Sequence, residues 1–154
     1  MRLADAAATA ALGARLAALA EAGDVVLLDG PLGAGKTTLA QGFARGLGVP
    51  GPVTSPTYTL ADVHDGGRLL LVHVDAWRLG SAEELDDLDL VLDGAITLVE
   101  WGVGRAEQLG QEHLLVRLDR PAQVEGRTAT LTPSGPGWAA RLRAAGLGDG
   151  APAV

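Results

Sequence analysis

A chain of 154 residues, 47% apolar and carrying a net charge of −7, is long enough to bury one core, and its lack of cysteine excludes disulfides and thiolate metal sites. No apolar run approaches the roughly 18 residues of a membrane span, and Asp5 and Arg15 interrupt any signal-like segment at the start. The eleven arginines are scattered with no basic run, so the expectation is a cytoplasmic protein with no membrane and no DNA partner, and with any RNA held through another protein.

Residues 5–21 predict an amphipathic helix, with Leu12, Leu16 and Leu19 on one stripe and Arg15 and Glu21 off it. Thr9, in its first half, reads as a helix-surface hydroxyl. After Gly23-Asp24, the apolar run Val25-Val26-Leu27-Leu28 reads as a buried strand. Next comes Gly30-Pro31-Leu32-Gly33-Ala34-Gly35-Lys36-Thr37, which satisfies G-x-x-x-x-G-K-[ST] at every fixed position. A helical pattern follows, with Leu39, Phe43 and Leu47 four apart. Strand, glycine loop and helix in that order are the context a phosphate-binding loop requires.

The residue types suit that chemistry. Glycines let successive N–H groups converge on phosphate oxygens, and a Cβ at Gly33 or Gly35 is expected to obstruct the nest. The helix N-terminus adds its dipole. Lys36 reaches the outer phosphates and the Thr37 hydroxyl ligates Mg²⁺. Lys36 is the only lysine in the chain, at a place where arginine's wide fork substitutes poorly for a compact ammonium.

Gly48-Val49-Pro50-Gly51-Pro52 stops the helix, and Ser55-Pro56-Thr57 follows as an ordered polar loop leading into a strand. Its hydroxyls either sense a terminal phosphate or cap the strand. Residues 60–64 and 68–74 flank Asp65-Gly66-Gly67, a hairpin signal. The second arm is apolar and ends in Asp75, as does the second metal-site strand of a phosphate-loop enzyme. Ser81-Ala82-Glu83-Glu84 has the form of a capping box, and the acidic residues after it read as a solvated face. Residues 96–101 form another buried strand, ending in Glu100-Trp101. Residues 113–119 and 127–132 predict two more strands, antiparallel at an edge, and residues 138–145 a terminal helix. Residues 1–146 are expected to form one domain and 147–154 a flexible tail.

Absences decide as well. The chain contains no asparagine, so the N-K-x-D guanine reader cannot exist. No arginine-dense lid of the small-molecule-kinase type is visible; Arg117 and Arg120 come nearest and belong to a strand. His64, His73 and His113 lack metal-like spacing and read as core or surface imidazoles.

Taken together, the loop, Ser55-Pro56-Thr57-Tyr58-Thr59-Leu60, His73-Val74-Asp75-Ala76-Trp77-Arg78-Leu79 and Glu100-Trp101-Gly102 resemble the TsaE family over roughly residues 5–133. The resemblance implies an Mg²⁺-dependent ATPase, slow alone, required for threonylcarbamoyladenosine modification of the tRNA adenosine beside the anticodon. It implies TsaD and TsaB as partners, with tRNA met only through their complex. By the same resemblance, Gly33, Ala34, Gly35, Lys36, Thr37 and Thr38 form the phosphate cradle. Thr37, Glu100 and Asp75 attend the metal, and Asp75, Glu100 and Lys36 carry the chemistry. Ser55 and Thr57 match a switch-like loop, Trp101 lies by the nucleotide, and Thr9 and Arg127 match its adenine side. Departures are Pro31, which removes one N–H at the loop's start, and Trp77 where tyrosine is usual. The fold expected is α/β, a P-loop NTPase with a mixed, mainly parallel sheet and helices on both faces. A small-molecule kinase and a binding module that only senses ATP stay open as alternatives.

Overall fold

The computed structural model describes residues 1–56, 60–88, 90 and 93–148. Its elements in chain order are β1 (Arg2–Leu3), α1 (Ala6–Leu19), β2 (Val25–Asp29), α2 (Lys36–Leu47), β3 (Ala61–His64), β4 (Leu70–Asp75), α3 (Ala82–Asp86), β5 (Ala95–Glu100), β6 (His113–Asp119), β7 (Arg127–Ser134) and α4 (Pro136–Ala144), with a 3-10 turn at Glu107–Leu109. The strands form one sheet in the order β1-β7-β6-β2-β5-β4-β3. The four central strands run parallel, and the outer ones join antiparallel.

The period of two along each strand sorts side chains into two cores. Val26, Leu28, Leu71, Ile96 and Leu98 face α1, α2 and the Trp138 and Leu142 face of α4. Val25, Leu27, Val72, Val74, Ala95 and Val99 face the other way, onto Leu85 of α3 and the segment around Ala106. Helices thus cover both faces, but unequally: one side carries three full helices, the other one short helix and a 3-10 turn.

Local chemistry places the helix ends. The Asp5 carboxylate accepts the Ala8 N–H at 2.7 Å and starts α1. Gly48, at φ 81°, closes α2. At α3 the Ser81 hydroxyl accepts the Glu84 N–H at 3.4 Å, but the returning Glu84 carboxylate accepts from Gly80 (3.2 Å), one residue short of a true capping box.

Small residues set how closely α1 and α2 approach. A Cβ on Gly42 would overlap the Ala10 carbonyl oxygen, one on Gly13 the Leu39 carbonyl oxygen, and one on Gly46 would lie 2.7 Å from the Ala14 Cα. This contact fixes the helix that begins at the phosphate loop. Gly42→Ala should therefore destabilise the fold by about 1–3 kcal/mol despite alanine's better helix propensity. Chemical denaturation should show a lowered midpoint; an unchanged or raised one would mean that the backbones yield freely.

Three expectations need correction. The pair β6–β7 is not the edge: β6 lies between β2 and β7, and the short strand β1, too brief to show a period, pairs outside β7. Thr9 is not on the surface but fully buried. Residue 147 is not tail, because Leu147 is buried against the α1–α2–α4 core and its N–H bonds the Leu142 carbonyl at 2.8 Å.

Candidate functional site

Register brings the predicted residues together. In the parallel sheet Leu28 of β2 lies level with Glu100 of β5, and Glu100 level with Asp75 of β4. The loop 30–35 leaves β2 at that same end and enters α2. The two strand-tip carboxylates thus stand beside the loop, at the carboxyl end of the sheet where open α/β folds bind ligands.

The glycines are required for different reasons. Gly30 has φ 138°, and a Cβ there would overlap the Leu118 carbonyl oxygen of β6. At Gly35 (φ 110°) a Cβ would come within 2.6 Å of the Arg127 guanidinium. At Gly33 (φ 78°) no protein atom lies within 4 Å of a Cβ, so within the protein it is the positive φ that demands glycine.

Lys36, the first residue of α2, is 5% exposed. Its Nζ donates to the carbonyls of Gly30 (2.6 Å) and Pro31 (3.0 Å) and lies 3.7 Å from the centre of the Trp101 ring. Burial pulls its pKa below the ordinary lysine value, against the opposing pull of Glu100, Asp29 and Asp75. Among the described residues Trp101 alone has a positive φ without being glycine, at 61°. Left-handed backbone at such a residue costs about 1–3 kcal/mol. A desolvated cation–π contact is worth up to about 2 kcal/mol, and the tilted stacking on Trp77, centroids 4.5 Å apart, about 0.5–1.5 more. The strain and the contacts it permits are therefore of similar size. The Arg105 guanidinium ties the turn by donating to the carbonyls of Trp101 (3.4 Å) and Ala76 (3.2 Å).

A polar chain runs beside Lys36. Ser55 Oγ donates to Glu100 Oε1 at 2.9 Å, which uses its one hydrogen, so Thr37 Oγ1 is the donor in the 2.8 Å contact with Ser55. The same Glu100 oxygen meets His73 Nε2 at 3.0 Å. His73 is the core imidazole its sequence suggests, fully buried, and the sheet supplies it with a carboxylate partner. It sits two residues before Asp75 on the same face of β4, and strict alternation from Asp75 is the signal that finds it. Asp75 accepts the Trp77 N–H at 2.9 Å.

On the far side of the loop, Arg127 at the start of β7 donates to Thr9 Oγ1 at 3.2 Å, and Thr9 in turn donates to the Asp5 carbonyl at 3.0 Å. Arg127 Nε is buried without a partner among the described residues. Leu32, Gly33, Gly35, Lys36, Thr37, Thr38, Ser55, Asp75, Glu100, Trp101 and Arg127 line one cavity of about 400 Å³. A second hollow of about 660 Å³, lined by residues 4–5 and 120–127, shares Arg127 with it. Ala34 is fully buried and its N–H bonds the Pro31 carbonyl at 3.1 Å. Thr57 lies outside the described residues. Arg117 is spent on Asp29, at 2.8 Å.

Among the described residues no three histidine, cysteine or carboxylate side chains are placed to hold a metal ion by themselves. What they offer is an oxygen-only set, Thr37, Ser55, Glu100 and Asp75, beside a lysine. Such a set fits a small hard cation that takes one or two carboxylates and completes its shell with phosphate oxygens.

The family model for threonylcarbamoyl adenosine biosynthesis protein TsaE matches residues 3–129. The chain is 50% identical over 136 residues to the tRNA threonylcarbamoyladenosine biosynthesis protein TsaE of Streptomyces coelicolor, covering 83% of this chain and 92% of that protein. It is 42% identical over 128 residues to the protein of that name from Bacillus subtilis, covering 82% and 80%. A crystal structure of Bacillus subtilis YdiB superposes with a TM-score of 0.76 at 34% identity, over 94% of this chain and 91% of that one. Its fold is of the P-loop NTPase type, in agreement with the sheet and loop described above. The chain belongs to the TsaE family, whose work is the biosynthesis of threonylcarbamoyladenosine in tRNA.

Proposed function

We propose that this protein binds ATP with Mg²⁺ and hydrolyses it slowly, and that it does so in the cytoplasm on behalf of a TsaD–TsaB complex that modifies the adenosine beside the tRNA anticodon. The observation that carries the reading is the convergence of Lys36, Thr37, Ser55, Asp75 and Glu100 on one cavity at the mouth of the glycine loop. Lys36 and the loop amides Gly33 to Thr38 bind and orient the phosphates; Thr37, Glu100 and Asp75 hold the cation; Asp75 or Glu100 orients the attacking water. Bound Mg²⁺ supplies charge neutralisation at the outer phosphates. Phosphate release should be slow for the chain alone and rise when purified TsaD and TsaB are added. Equal rates with and without them would defeat the partner reading, and no ATP uptake by calorimetry would defeat the ATP reading.

On the adenine side, the Arg127 guanidinium borders the loop at Gly35. Arg127→Ala should weaken ATP binding about 10- to 100-fold, the worth of a charge-assisted contact, with Thr9→Val milder because it removes only the acceptor that steers the guanidinium. Calorimetric titration checks the order; equal losses for the two would mean that Thr9 meets the ligand itself.

A further inference from the structure

We infer that His73 is a positioning residue for the metal carboxylate, an inference that rests on the Mg²⁺·ATP reading above. Strand β4 is otherwise apolar at its centre, and Leu71, Val72 and Val74 are fully buried around it. An imidazole there carries a cost: His73 is 0% exposed and its Nδ1 has no partner among the described residues. The gain is all at the other nitrogen, 3.0 Å from Glu100 Oε1. A carboxylate oxygen only accepts, so Nε2 carries the hydrogen and donates. Ser55 donates to that same oxygen from the loop.

The two donors differ in kind. Ser55 sits on a loop and accepts from Thr37 while donating to Glu100, so its hold on the carboxylate depends on where the loop lies. His73 is fixed by the sheet, level with Leu98 and one strand over from the carboxylate. It holds the Glu100 carboxyl in one orientation whatever the loop does, leaving the group pre-set at the cavity wall. Outer hydrogen-bond partners of metal ligands commonly govern affinity about 10- to 100-fold.

The test measures binding, so that turnover does not confuse it. Affinity for the non-hydrolysable analogue AMP-PNP is measured in EDTA and across a series of MgCl₂ concentrations, for the wild type, Glu100→Gln, His73→Leu and His73→Gln. His73→Leu should melt as a folded protein and bind the analogue in EDTA within about twofold of wild type. The Mg²⁺ concentration for half of the metal-dependent gain should rise about 10- to 100-fold. His73→Gln, whose amide can still donate, should recover most of that. A wild-type Mg²⁺ requirement in His73→Leu, while Glu100→Gln shifts it, overturns the role of His73 and leaves the metal reading standing. A wild type indifferent to Mg²⁺ overturns both. Should His73→Leu fail to fold, His73→Asn serves in its place: a folded Asn variant, with an amide too short to reach Glu100, must show the shifted requirement, and a normal one overturns the inference.

Discussion

Lys36→Ala should cut kcat/KM for ATP hydrolysis by about 10² to 10³-fold, about 3–4 kcal/mol of lost transition-state stabilisation. The reason lies in what remains. Without the ammonium, the cavity's metal side keeps Asp75 and Glu100, with Asp29 close behind, and the outer phosphates of an incoming triphosphate meet acidic neighbours with no side-chain cation at the mouth of the loop to offset them. Lys36→Arg should not rescue it, because the site is built around a small donor held by two carbonyls and capped by the Trp101 ring. Phosphate-release kinetics decide; a loss below tenfold would mean that the loop amides carry the phosphates unaided. The same residue has a pH signature. Its folded-state pKa lies below 10.5, so between those two values the unfolded chain holds more protons than the folded one, and Lys36 makes stability rise with pH. Lys36→Met should flatten that rise in denaturation midpoints measured at successive alkaline pH values; an unchanged slope would assign the titration elsewhere.

How much of this was legible before folding depends on the range of the signal. The loop, its flanking strand and helix, the hairpin around Asp65-Gly66-Gly67 and the strand-end carboxylates are all written in short stretches, and the structure places each where the stretch implied. What escaped was non-local. Thr9 looks like a surface hydroxyl because its own helix turn does not reveal Arg127, 118 residues away, which buries it. His73 looks like an ordinary core imidazole until β4 and β5 pair in register and bring Glu100 to it. The crossing of α1 and α2 is set by Gly13, Gly42 and Gly46, which read along the chain as helix-weakening residues and show their purpose only across the interface. The strain at Trp101 is invisible in sequence because nothing local demands it; it follows from drawing the ring over Lys36.

Glu100→Gln should abolish most Mg²⁺-dependent hydrolysis, by about 10²-fold or more, while leaving the fold nearly intact. The two requirements separate because of where the hydrogen bonds fall. Both Ser55 and His73 donate to Oε1, and a glutamine carbonyl in that place accepts both, so the variant keeps its buried contacts and loses only the charge. Glu100→Ala is the poorer probe: it strands the His73 Nε2–H in a fully buried position and should cost about 1–3 kcal/mol of stability on that account alone. Denaturation midpoints should therefore order wild type close to Glu100→Gln and well above Glu100→Ala, while both variants lose hydrolysis alike. That pattern ties the carboxylate's charge to the chemistry and its shape to the fold. The glutamine variant then also judges the binding-module alternative. If it still binds ATP and still supports threonylcarbamoyladenosine formation in a reconstituted reaction, ATP acts as a signal by its presence, and hydrolysis at Glu100 is incidental to it.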